Sequence, residues 1–165
     1  MNPNFYWKII PMTETHGQLI STWTYPPPYH IYNWPSWEHM VRDELEFADP
    51  VVRKDQYAAV VDDQGKLCGF AQFFPISGVT RLGLGLRPDL LGLGTGAYLT
   101  SLLVIEAKKR APRSSIDLEV LTWNIRAQRS YLKAGFKITD TYIRSTPRGL
   151  AAFHCMVYEK IQNDH

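Results

Sequence analysis

The chain has 165 residues, of which 45% are hydrophobic, 13% aromatic and 21% charged, and it carries a formal net charge of +2. That is the length of one ordinary domain, 1–165, able to bury a full core without disulfide or metal staples. The composition excludes a disordered or fibrous chain, and the near-neutral charge argues against nucleic acid or any other polyanion as a partner.

In chain order, Asn4 to Ile10 is aromatic and β-branched enough for a short strand, which Pro11 ends. Thr13 suits the N-cap of a helix over Glu14 to Trp23. Tyr25-Pro-Pro-Pro-Tyr29 cannot be helical and predicts a polyproline-like loop. Pro35 suits the first turn of a second helix, with Trp37, Met40, Val41 and Leu45 on one face, and Pro50 closes that region. Strand periodicity then takes over. Gln56 to Val61 and Leu67 to Phe74 flank Asp62-Asp63-Gln64-Gly65, a turn that predicts a hairpin, and Val79 to Leu86 makes a third strand. Thr95 to Arg110 is a helix with Tyr98, Leu99, Leu102 and Leu103 on its apolar face, basic residues in its last turn and Pro112 beyond it.

Ser115 to Leu121 alternates as a strand, with Ile116, Leu118 and Val120 on one face and Asp117, Glu119 and Leu121 on the other. Asn124 caps the next helix, whose Ala127, Tyr131 and Ala134 share a face and whose left-handed terminator is Gly135. Lys137 to Arg144 and Leu150 to Lys160 finish the chain as two strands. The expected order is one strand, two helices, three strands, then helix, strand, helix and two strands.

Cys68 and Cys155 each fall inside an apolar, strand-like stretch, the pattern of buried thiols in a reducing compartment rather than of a disulfide. No apolar run approaches the ~18 residues that span a bilayer, and Met1 to Lys8 lacks the basic-then-apolar order of a secretory signal. A cytoplasmic protein that does not enter membranes is expected. His16, His30, His39, His154 and His165 show no metal-ligand spacing and no Cys-x-x-Cys occurs, so no metal is expected.

The densest signal is Leu84-Gly85-Leu86-Arg87-Pro88-Asp89-Leu90-Leu91-Gly92-Leu93-Gly94-Thr95-Gly96, a strand that enters a glycine-rich turn and then a long helix. Glycines let a backbone approach a ligand closely, and the amides at a helix start attract anions, so a phosphate or pyrophosphate is the natural occupant. The P-loop pattern fails because no Gly-Lys-Ser/Thr follows. The dinucleotide fingerprint fits only loosely. It should follow its strand directly and begin a series of βαβ units, whereas Arg87 to Leu91 intervene and hairpin strands precede it.

Here the sequence resembles the GNAT superfamily of acyl-CoA N-acyltransferases. Its Gln/Arg-x-x-Gly-x-Gly/Ala loop maps onto Leu91-Gly92-Leu93-Gly94-Thr95-Gly96, with Leu91 in place of the leading Gln/Arg. Its Asn-x-x-Ala-x-x-x-Tyr-x-x-x-Gly-Phe helix is matched at every fixed position by Asn124, Ala127, Tyr131, Gly135 and Phe136. The resemblance implies an α/β fold of mixed α+β type: a central, mostly antiparallel, splayed sheet of about seven strands flanked by about four helices. It implies acetyl-CoA as co-substrate and an N-acetyltransferase activity toward a small-molecule or peptide amine, by a monomer or homodimer. The loop Leu91 to Gly96 would hold the pyrophosphate, while Leu84, Gly85, Leu86 and Asn124 would meet the pantetheine arm. The alternatives are a non-catalytic acyl-CoA-binding module and, behind it, a dinucleotide-binding enzyme.

The chemistry narrows the catalytic candidates. Acyl transfer needs a neutral amine, which is mostly protonated at pH 7, and a proton for the departing thiolate. Glu119, on the polar face of its strand, is the candidate base, and the segment Leu118-Glu119-Val120 leading to Asn124 resembles that of ribosomal-protein alanine acetyltransferases, whose corresponding glutamate is the base. Tyr131 is the candidate acid, since a phenol keeps its proton at neutral pH. Direct attack in a ternary complex is expected, because no cysteine falls where the motifs place the chemistry. The aromatic run that includes Tyr25, Tyr29, Tyr32 and Trp34 is the candidate acceptor wall, able to hold an apolar group or a cationic amine.

Overall fold

The computed structural model describes residues 6–159, so Asn4 and Phe5 of the first expected strand, Lys160 of the last, and His165 lie outside the described residues. The elements in chain order are β1 (Lys8–Pro11), α1 (Glu14–Ser21), α2 (Trp37–Arg42), α3 (Pro50–Gln56), β2 (Tyr57–Val61), β3 (Leu67–Ile76), β4 (Val79–Leu86), α4 (Thr95–Arg110), β5 (Ser115–Leu121), α5 (Ile125–Lys133), β6 (Phe136–Thr146) and β7 (Gly149–Tyr158). Short 3₁₀ turns stand at Tyr29–Tyr32, Glu46–Ala48 and Pro88–Leu90. The seven strands form a mixed sheet in the order β1-β2-β3-β4-β5-β7-β6. β4 and β5 pair in parallel, whereas β1–β2, β2–β3, β5–β7 and β7–β6 pair antiparallel. Two compact units divide the chain: the first takes residues up to Gln72 with Leu84–Leu91, and the second takes Phe73–Gly83 with the residues from Gly92 onward.

In the first unit, Thr13 caps α1 as expected. Its hydroxyl accepts from the His16 amide while His16 Nδ1 accepts from the Thr13 amide, a reciprocal box with His in place of Glu. Four expectations between α1 and β2 are corrected. Ser36 rather than Pro35 starts α2, because its hydroxyl accepts from the His39 amide. The apolar face predicted there breaks up, since Met40 is buried, Val41 is 46% exposed and Leu45 lies beyond the helix. Pro50 opens a third helix instead of closing the second: the Asp49 carboxylate caps Val51 and Val52, and proline at the first helical position gives up an amide that has no helical acceptor anyway. Gln56 ends that helix rather than starting β2.

Every residue of β2 is buried, and the core gathers around Phe47, which is fully buried. The ring of Trp34 meets Phe47 edge-on at 4.8 Å, and Tyr57 does so at 5.5 Å. Gly85 supports this core by having no side chain, since a Cβ there would sit 2.2 Å from Cε1 of Phe70. Gly85→Ala is therefore expected to lower stability by about 1–3 kcal/mol through overpacking, read as a fall in the thermal midpoint of about 2–4 °C per kcal/mol.

In the second unit, α4 buries Leu99, Thr100, Leu103, Val104 and Ala107, a face turned slightly from the predicted one, with Tyr98 and Leu102 at its margin. Thr100 fits among apolar neighbours because its hydroxyl donates back to the Gly96 carbonyl at 2.7 Å. β5 has the predicted limits but is covered on both faces: Ile116, Leu118 and Val120 are buried, and so are Asp117 and Leu121 on the other face, with Glu119 half-buried between them. β6 and β7 form a long hairpin turned at Pro147-Arg148-Gly149, with Gly149 at φ 105° and a register shift between Ile138 and Asp140. Among the described residues no helix is long and apolar enough to cross a membrane, and no group of His, Cys, Asp or Glu is arranged to hold a metal ion. Cys68 and Cys155 are free, buried thiols.

Candidate active site

The glycine-rich loop ends in a helix start that has no side-chain cap. Gly92 and Gly94 both adopt left-handed backbone, at φ 79° and 77°, and Gly94 is the N-cap of α4. A glycine supplies no capping side chain, and the first turn of α4 holds no acidic residue. An α-helix begins with amides that have no acceptor inside the helix, at the positive end of its dipole. The Cβ positions of Gly92 and Gly94 face open space, so this surface is both electropositive and unobstructed. Gly96 has a different task, because a Cβ there would press to 2.7 Å from the Ser130 hydroxyl where α4 meets α5. Leu93 is exposed and Thr95 is buried, while Leu91 is half-buried.

In the first unit, the end of β4 is clamped. The parallel register of β4 with β5 stops at Leu82↔Leu118, so Leu84 to Leu86 extend past the last registered pair. The Tyr25 hydroxyl donates to the Leu86 carbonyl at 2.6 Å, and burial pushes its pKa up to about 12. Arg87 donates from its amide to the Cys68 carbonyl at 2.8 Å and from Nη1 to the Leu67 carbonyl at 2.7 Å. The Arg87 guanidinium also bonds Asp89, at 2.6 Å from Nε, and holds that carboxyl below its usual range. The turn entering the glycine loop is thereby tied to β3.

Glu119 sits in a network that sequence reasoning did not find. Its Oε2 accepts from the Tyr142 hydroxyl at 2.5 Å and from Arg144 Nε at 3.0 Å, while Oε1 lies 3.5 Å from Arg81 Nη1. Arg81 is also bidentate to Asp117, at 3.0 and 2.9 Å. Burial pushes the Glu119 carboxyl up, but the bonds from Tyr142 and Arg144 and the charges of Arg144 and Arg81 outweigh it and hold the pKa below its ordinary value of 4.5. Two carboxylates on one half-buried strand face require cationic partners, and that is the signal from which Arg81 was recoverable. Tyr142 and Arg144 gave no such signal.

Asn124 caps α5 as predicted, its side-chain oxygen accepting from the Ala127 amide at 3.2 Å. Gln128, also missed, is buried and donates to the carbonyls of Leu121 and Thr122, which ties α5 to the end of β5. Tyr131 is half-buried with its ring against Phe136, centroids 6.3 Å apart. Phe136 pairs with Tyr158 and Glu119 with Cys155, an odd offset along β7, so Tyr131 packs on the sheet face opposite Glu119. Of the acceptor-wall candidates, Tyr25 and Trp34 pack against the core of the first unit. Tyr29 and Tyr32 stand on a 3₁₀ turn, with Tyr32 40% exposed.

The Acetyltransferase (GNAT) family model matches residues 18–136. No curated protein sequence matches the chain. Among solved structures, the aminoglycoside acetyltransferase AAC(6')-Ib in complex with coenzyme A and kanamycin is 23% identical over 92% of this chain and 94% of its own, with a TM-score of 0.67. A spermidine N-acetyltransferase SpeG chimera from Vibrio cholerae and hSSAT is 14% identical over 92% and 94%, at 0.72. The ribosomal-protein-S18-alanine N-acetyltransferase from Escherichia coli is 20% identical over 96% and 99%, at 0.62.

Proposed function

The chain belongs to the Acetyltransferase (GNAT) family, and on that premise we propose that it transfers the acetyl group of acetyl-CoA to a primary amine by direct attack in a ternary complex. The observation that carries this reading is the pair of left-handed glycines, Gly92 and Gly94, leading into the start of α4, which has no side-chain cap and no acidic residue in its first turn. A diphosphate is the anion such a start suits. Similar structures solved with coenzyme A or acetyl-CoA support that choice of co-substrate. In this reading Leu91 to Gly96 hold the diphosphate. The extension of β4 at Leu84 to Leu86, with Asn124, meets the pantetheine arm.

Glu119 takes the proton of the incoming ammonium, directly or through a water, so that the amine lone pair is free to attack the thioester carbonyl. The new C–N bond forms as the C–S bond breaks, and the sulfur leaves with the electron pair and takes the hydroxyl proton of Tyr131, which approaches from the sheet face opposite Glu119, past the last registered β4–β5 pair. The second proton, shed by the acetylated nitrogen, returns through water to the Tyr131 oxygen, and Glu119 gives its proton to solvent. Tyr29 and Tyr32 face the acceptor, while Tyr25 and Trp34 support them from the core. The protein works in the cytoplasm as a monomer or homodimer, with 1–165 as its acetyltransferase domain.

The test is free-thiol release from acetyl-CoA by the pure protein with propylamine, spermidine, kanamycin and a peptide with a free N-terminal alanine. Amine-dependent thiol release and an acetylated product are expected for at least one of them. Tight coenzyme A binding with no acetylation of any amine would instead identify a non-catalytic acyl-CoA-binding module.

A further inference from the structure

β6 changes phase partway along its length. Phe136, Lys137 and Ile138 oppose Tyr158, Val157 and Met156, but the next registered pair is Asp140↔Cys155, which leaves Thr139 as one extra residue. Opposed residues of an antiparallel pair share a face, and a one-residue slip moves every later side chain to the other face. Without Thr139, Tyr142 would continue the register of Ile138 and oppose Ala152, on the face away from Glu119. With it, Tyr142 opposes Phe153 and Arg144 opposes Ala151, on the face Glu119 shares with Cys155. The Thr139 hydroxyl reaches the Cys155 carbonyl at 3.4 Å, pinning the bulge to β7.

We infer that this bulge presents Tyr142 and Arg144 to Glu119 as positioning residues, which fix its Oε2 and leave Oε1 as the atom that receives the proton. The inference rests on the reading of Glu119 as the base. Both donors bond the same oxygen, whereas among the described residues Oε1 has Arg81 alone, at a longer 3.5 Å. Arg144 is itself held, its guanidinium lying 4.1 Å from the centroid of Phe153. The groups facing Glu119 are accounted for on every neighbouring strand. Arg81 comes from β4 and is taken mainly by Asp117 of β5. On β7, Cys155 donates its thiol to Asp117 at 3.6 Å, and burial pushes that thiol up. On β6, Asp140 accepts from Thr139, Lys137 pairs with Glu159, and Tyr142 and Arg144 take Glu119. The network thus keeps the carboxylate ionised and aimed.

The test uses Tyr142→Phe, Arg144→Gln and Arg144→Lys in the full chain. Two quantities are read: the Glu119 carboxyl titration by carbon NMR, and the pH dependence of acetyl transfer to whichever amine the screen identifies. Tyr142→Phe and Arg144→Gln are expected to move the carboxyl titration to higher pH and the acid limb of kcat with it. Turnover at neutral pH should fall roughly tenfold while KM for acetyl-CoA holds, because the base is loosened and the cofactor site is untouched. Arg144→Lys should recover part of the loss. A carboxyl titration unmoved in both folded variants would overturn the inference. A titration that moves while the acid limb of the rate stays fixed would uphold the clamp and remove Glu119 from the base role.

Discussion

Gly94→Trp is expected to abolish coenzyme A binding while leaving the fold largely intact. Gly94 sits at φ 77° and a Cβ there would meet no atom within 4 Å, so a side chain can start from this position, and an indole is large enough to fill the space beside the loop. The left-handed backbone costs a non-glycine residue about 1–2 kcal/mol, a modest charge against a domain with a full core. The ligand suffers far more, because the bulky side chain covers the amides offered to the diphosphate. Calorimetric titration should show the dissociation constant for coenzyme A loosened by at least about a hundredfold, equivalent to ~2.7 kcal/mol. Gly94→Ala separates the two effects, since it pays the backbone cost without filling the space and should keep most of the affinity. Retained affinity in the tryptophan variant would place the diphosphate elsewhere.

Glu119→Gln should lower turnover near neutral pH by about 10²-fold or more, the usual contribution of a positioned general base. Coenzyme A affinity should hardly change. The amide still accepts from Tyr142 and Arg144, so geometry survives while the proton acceptor is lost. Stability changes in a pH-dependent way. The folded pKa of Glu119 lies below its ordinary 4.5, so its contribution is fully present above that value and is lost as pH falls through the folded pKa. The variant lacks this contribution, so its thermal midpoint should fall less than that of the parent on acidification below pH 4.5. Wild-type turnover in Glu119→Gln would remove the residue from the base role.

The parts of this fold that were legible in the sequence are those where local chemistry decides. β4, α4 and β5 match their predicted limits because strand alternation, glycine punctuation and a basic last turn all agree there. Asn124 and Gly135 were readable because a cap and a left-handed terminator each demand a narrow choice of residue. The helix at Pro50 was missed because proline both ends helices and begins them. Only the Asp49 side chain, bonded to Val51 and Val52, decides between the two.

The candidate site was half legible. Its glycines and its carboxylate are written locally, but the partners of Glu119 come from strands joined only by tertiary pairing. Arg81 is 38 positions away along the chain, the difference between 119 and 81. Tyr142 and Arg144 depend on an extra residue in β6 that no alternation pattern announced. The aromatic run from Trp23 to Trp34 was ambiguous for another reason, since burial and ligand contact favour the same rings. Tyr25 and Trp34 went to the core, and Tyr25 acquired a bond to the Leu86 carbonyl that only the folded chain provides.

The most direct test of the account follows the backbone amides of Gly92, Gly94 and Gly96 by nitrogen-15 NMR as coenzyme A is added. Saturable shifts at these three glycines, absent when dephosphorylated pantetheine is added instead, are the predicted result. Coenzyme A binding that leaves all three resonances in place would contradict it.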